Sequence, residues 1–133
     1  MKYREGYKYQ LAEDEIAETG FSLPKGVRSR FINLTKTGKL TIKDGYAWDG
    51  ASGPTFDTEA AMTPSLIHDA LYQLMRHELI PQSFRVPADE LFIKLCRDRG
   101  MWFLRARLWW RGLQIANGEA ALPENKKKVF EAP

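Results

Sequence analysis

Apolar and polar residues alternate in the first part of the chain and change to a helical period in the second. Tyr7, Tyr9 and Leu11 stand between polar neighbours, the period of two that marks a half-buried strand. Phe31-Ile32-Asn33-Leu34 and Lys39-Leu40-Thr41-Ile42 flank Thr35-Lys36-Thr37-Gly38, which predicts a hairpin with its glycine at the turn. Phe21 to Gly26 reads as a short edge element or a loop, because Pro24 has no N–H to give a sheet ladder. Between Asp44 and Thr63 the turn dipeptides Asp44-Gly45, Asp49-Gly50 and Gly53-Pro54 crowd together. They predict a compact irregular loop anchored by Tyr46, Trp48 and Phe56, a type of segment that often carries function.

Beyond that loop Leu66, Ile67, Ala70, Leu71, Leu74 and Met75 recur at spacings of three and four. They predict a helix capped by Thr63 or Ser65 and followed by Pro81. A second helix is expected from about Pro87 to a stop at Gly100, with Leu91, Phe92, Leu95 and Cys96 on one face. A third is expected from about Met101 to Asn117, ended by Asn117-Gly118. Residues 119–133, with Lys126-Lys127-Lys128 and no periodicity, read as a flexible tail. The predicted fold class is therefore α+β: a small N-terminal antiparallel β-sheet or hairpins, an irregular Gly-rich loop, then three packed α-helices. One domain is expected over residues 1–120, strand-rich over 1–45, loop over 46–63 and helical over 64–118.

Composition agrees with one globular domain: 133 residues, 44% apolar and 28% charged. The formal charge of +3, from 20 basic and 17 acidic residues, is too even to call for nucleic acid. Outside the third predicted helix there is no basic stripe with interleaved aromatics either, so no nucleic-acid partner is expected. The lone Cys96 excludes an internal disulfide, and its apolar setting reads as a small core hydrophobe. Met1-Lys2-Tyr3-Arg4-Glu5 lacks the apolar stretch of a signal peptide, and no run approaches the ~20 apolar residues of a membrane span. Synthesis in a reducing cytoplasm is the expectation.

The candidate chemistry lies on the first predicted helix. His68 and Tyr72 are four apart and share a face, while Asp69 is turned about 100° around the axis. In an apolar setting each needs a partner, at a cost of about 1–3 kcal/mol if left without one. Asp89, near the start of the second helix, comes close to His68 if the two helices are antiparallel neighbours. A carboxylate on one ring nitrogen fixes the tautomer and leaves the other as a base toward water. Asp69, facing the Gly-rich loop, can share a hard cation with backbone carbonyls of residues around Trp48 to Gly53, an all-oxygen set that suits calcium.

His68-Asp69-Ala70-Leu71-Tyr72, followed by Arg85-x-x-Ala88-Asp89-x-x-Phe92, resembles the paired catalytic helices of secreted phospholipases A₂, the bacterial branch above all. Asp49-Gly50-Ala51-Ser52-Gly53-Pro54 resembles that branch's calcium loop. The resemblance implies catalytic roles for His68 (activating water), Asp89 (orienting His68) and Tyr72 (steadying the carboxylate). It implies calcium held by Asp69 with carbonyls of Trp48, Gly50 and Ser52, polarising an ester carbonyl. The chain departs from those enzymes in having no disulfides and in its strand-rich start. A second resemblance covers most of the chain. Tyr46-Ala47-Trp48-Asp49-Gly50-Ala51-Ser52-Gly53-Pro54, then His68 to Tyr72, is similar to a phage and prophage family, domain of unknown function 1353. It implies a phage or bacterial origin and no assigned activity.

Plainer readings stand beside these. His68 is alternatively a core histidine, Asp49-Gly50 a simple turn, and Asp57 and Glu59 a solvated helix start. His77, at a helix end, has no catalytic role. The Trp102, Ala106, Trp109, Leu113 stripe reads as core. Trp110, Arg107 and Arg111 outside it suit a membrane interface or a protein partner. No Gly-x-Ser-x-Gly elbow, P-loop or His-Glu-x-x-His is present. The expected function is a calcium-dependent, phospholipase A₂-like acyl-ester hydrolase acting on a lipid or envelope substrate. The alternative is a non-enzymatic phage structural or accessory protein, in the virion or at the host envelope, whose His-Asp-Tyr-Asp cluster fixes helix packing. A third is an adaptor or inhibitor of a host protein acting through the Trp/Arg helix.

Overall fold

A computed structural model of the chain describes residues 3–4, 9–48 and 59–100. Of these, the residues up to Trp48 belong to one compact unit and residues 59–100 to another. Together they make an α+β protein of antiparallel sheets and, among the described residues, two α-helices. The expected third helix, Met101 to Asn117, lies outside the described residues, as do Tyr7, Phe56 and the tail.

Among the described residues, the first unit holds seven short strands: β1 (Tyr3–Arg4), β2 (Tyr9–Leu11), β3 (Glu15–Glu18), β4 (Val27–Arg28), β5 (Ile32–Leu34), β6 (Lys39–Ile42) and β7 (Ala47–Trp48). They form two antiparallel sheets, ordered β1-β2-β7 and β3-β6-β5-β4. The β5–β6 hairpin is the predicted one, with Ile32 opposite Ile42 and Leu34 opposite Leu40. All four side chains are buried, while Asn33 and Lys39 between and beside them are not, so one sheet face is core. The turn closes through Gly38 N–H on Thr35 O, with Gly38 at φ 98°. A Cβ there would lie 2.6 Å from Phe21 O, so this position is closed to larger residues. Phe21–Gly26 is a loop, held against the hairpin by Leu23 N–H on Lys36 O.

The expectation of an irregular loop from Asp44 to Thr63 needs correcting at both ends. Asp44-Gly45 turns the chain, with Gly45 at φ 97°, and returns Ala47–Trp48 as a strand beside Tyr9–Gln10. Tyr46 and Trp48 are buried there. The turn signals are local, whereas the pairing that makes β7 spans nearly the whole unit. At the other end the first helix, α1 (Glu59–Arg76), starts before Thr63 and Ser65, which are therefore not caps. Glu59, Ala60, Ala61 and Met62 favour a helix, and Pro64 inside it forfeits one N–H while keeping a helical φ. Ser65 Oγ donates to Met62 O at 2.8 Å in the same turn.

From Met62 to Arg76 α1 is buried nearly all round; its half-buried positions Asp69 and Gln73 make a stripe at a spacing of four that His77, just past the helix, continues. It ends with Glu78 at φ 60°, Leu79 N–H on Leu74 O and Glu78 N–H on Met75 O. This is the Schellman closure, with glutamate where glycine is usual. A 3₁₀ turn, Gln82–Phe84, leads into α2 (Arg85–Asp98), which begins two residues before the expected Pro87. Pro87 is third in the helix, where its missing N–H would have no intrahelical partner anyway. The helix stops at Gly100, φ 96°, as expected. No helix among the described residues is long and apolar enough to cross a membrane.

Candidate functional site

Short connection and antiparallel packing of α1 and α2 bring residues of falling number on one helix against rising number on the other. His68 meets Asp89 and Phe92, while Tyr72 meets Asp89 and, one turn earlier, Arg85. His68 Nε2 lies 2.6 Å from Asp89 Oδ1, and Tyr72 Oη donates to the same oxygen at 2.7 Å. A carboxylate oxygen offers lone pairs only, so with Tyr72 donating, Nε2 is the protonated ring nitrogen. Nδ1 then carries the free lone pair. Among the described residues, Asp89 is the hydrogen-bond partner of the His68 ring.

Burial makes the site consequential. Asp89 is 0% exposed, Tyr72 3% and His68 7%. A buried carboxylate without donors would cost several kcal/mol, so both donors belong to its solvation shell. The His68 ring is further fixed between two aromatics, Tyr72 at 4.2 Å and Phe92 at 5.3 Å between centroids. Burial, then the hydrogen bond and charge of Asp89, hold the Tyr72 phenol well above its ordinary range, and Arg85 opposes them by charge and a hydrogen bond. Tyr72 is therefore a neutral donor at physiological pH.

His68, Asp89 and Tyr72 are thus gathered in one network within the helical unit. Asp69 is half-buried on α1 and is engaged in an interaction there. A carboxylate is a hard oxygen donor of the kind that calcium takes. Trp48 belongs to the sheet unit, in β7; Gly50 and Ser52 lie outside the described residues. No group of three or more His, Cys, Asp or Glu that could hold a metal is gathered among the described residues. Arg85 and Phe92 join the network without having been assigned a part from sequence. The signal was present: Arg85 is four residues before Asp89 and Phe92 three after, on the same helical face.

Cys96, 0% exposed on α2, belongs to the core; burial pushes its thiol up to about 12, against the opposing charge of Arg99. Comparison of the chain with family models, curated proteins and solved structures returned no significant match. The class of protein is defined by its own features: an α+β chain with a histidine–aspartate–tyrosine network between two helices.

Proposed function

We propose that this chain is a phospholipase A₂-like hydrolase, cleaving an acyl ester of a lipid or envelope substrate with His68 as general base. The observation that carries the reading is the 2.6 Å contact of His68 Nε2 with buried Asp89, which leaves Nδ1 as the basic atom. In the reaction Nδ1 takes a proton from water as its oxygen adds to the ester carbonyl carbon. The tetrahedral adduct then expels the alcohol, which takes that proton back from the imidazolium, giving acid and alcohol. Asp89 offsets the transient positive charge on His68, and Tyr72 keeps the carboxylate aimed at the ring. A calcium ion held by Asp69 and carbonyls from Gly50 and Ser52 would supply stabilisation of the oxyanion. The resemblance to phage and prophage sequences favours a phage or bacterial setting, with peripheral contact to the host envelope.

The near-complete burial of Asp89 and Tyr72 favours a second reading, a non-enzymatic phage structural or accessory protein in which the network fixes two helices. Fatty-acid release from mixed phospholipid vesicles, with calcium and with chelator, separates the two. Calcium-dependent release that is lost in folded His68→Ala supports the hydrolase. No release from the folded wild type supports the scaffold.

A further inference from the structure

The two edges of the four-stranded sheet differ in charge and agree in geometry. On β3, Thr19 N–H bonds Gly38 O, so by antiparallel alternation Ala17 and Glu15 also bond inward to β6. The N–H and C=O groups of Ile16 and Glu18 point outward, with no partner among the described residues. On β4, Ser29 N–H bonds Ile32 O and Val27 pairs with Leu34, which turns the backbone groups of Arg28 outward in the same way. Asp14 and Glu18 are exposed beside or on the first edge; Lys25, Arg28 and Arg30 are exposed along the second. Ile16, 56% exposed, sits in the middle of the acidic edge.

Ile16 is opposite Thr41, Thr41 is opposite Asn33, and Asn33 is opposite Arg28, so Ile16, Glu18 and Arg28 all project from the face away from the core. The sheet has four strands in strict antiparallel alternation, so β3 and β4 run in opposite directions. Repeating it edge to edge continues both the alternation and the faces. Short charged edges ordinarily prevent sheet pairing. Here the charge opposes β3 against β3 and β4 against β4, and leaves the unlike edges complementary.

We propose that the four-stranded sheet is a self-association surface, on which the β3 edge of one copy pairs antiparallel with the β4 edge of a second copy. Glu18 then lies opposite Arg28, and Ile16 opposite Arg30, whose guanidinium already covers the Phe31 ring. The contact is heterologous, so it builds open chains of copies rather than a closed dimer. It is small and largely ionic, hence weak and salt-sensitive.

Sedimentation velocity on the full chain over a wide concentration series, at low and high salt, tests this. The wild type should grow beyond dimer with concentration, less so in high salt. Glu18→Lys and Arg28→Glu, each folded by circular dichroism, should each weaken association about tenfold. An equimolar mixture of the two variants should restore it, because each junction between unlike variants pairs opposite charges. A wild type that stays monomeric throughout, single variants that associate as the wild type does, or a mixture that fails to recover would each overturn the proposal.

Discussion

His68 and Asp89, twenty-one residues apart and on different helices, stand 2.6 Å from each other, and Tyr72 donates to the same carboxylate oxygen at 2.7 Å. Two donors converging on one fully buried atom make Asp89 the centre of the network, and its removal the most damaging single change. Asp89→Ala should cost about 3 kcal/mol or more, since it strands the His68 N–H and the Tyr72 hydroxyl in the core. Urea unfolding of the variant, compared at equal m-value, measures this. A loss below 0.5 kcal/mol would show that the donors find other partners.

Tyr72 contributes through its hydroxyl as well as its ring. Tyr72→Phe keeps the aromatic contact with His68 and removes one donor, so a loss of about 1–2 kcal/mol is expected by the same unfolding assay. The phenol also sets an alkaline limit. Its ionisation is held above the ordinary 10.0 in the folded state. The folded chain then keeps a proton that the unfolded chain loses, so this stabilisation is complete below pH 10 and declines as pH rises beyond it. In Tyr72→Phe that part of the alkaline decline should vanish.

Cys96 follows the same sign at lower pH. Its ordinary value of 9.0 is raised to about 12 by burial, so its contribution is lost as pH climbs from 9 toward 12. Because the thiolate is the reactive form, a thiol reagent at pH 8 should modify Cys96 only as fast as the chain opens. Rapid modification under native conditions would contradict the burial.

Two backbone positions give opposite predictions. Glu78 closes α1 at φ 60°, a conformation that costs a non-glycine residue about 1 kcal/mol, so Glu78→Gly should raise stability by roughly that amount. Gly38 combines φ 98° with 2.6 Å from a built Cβ to Phe21 O, so Gly38→Ala should lower stability by at least ~2 kcal/mol. Thermal unfolding of both variants checks the signs together.

What can be read before folding is what depends on near neighbours. The Ile32–Leu34 and Lys39–Ile42 strands and their Gly38 turn lie within a dozen residues, and the α1 face from Leu66 to Met75 declares itself by spacing. Pairing His68 with Asp89 needs only that two helices joined by a short segment lie antiparallel. The strand Ala47–Trp48 is hidden because its partner, Tyr9–Gln10, is far away in sequence and its flanks carry strong turn signals. The start of α1 is hidden because Thr63 and Ser65 have cap chemistry, whereas Ser65 turns its hydroxyl to Met62 O inside the helix. Arg85 acts on the Tyr72 phenol across the helix pair, a contact that spacing within its own helix does not show.

In the proposed hydrolase the His68–Asp89 contact makes the general base, and Asp89→Asn is the decisive variant. The amide keeps the shape of the side chain while removing the charge that holds Nε2 protonated and Nδ1 free. Initial rates of fatty-acid release from phospholipid vesicles in calcium should fall by at least ~100-fold in this variant, with its circular dichroism unchanged. Equal rates in a folded Asp89→Asn and the wild type would contradict the account.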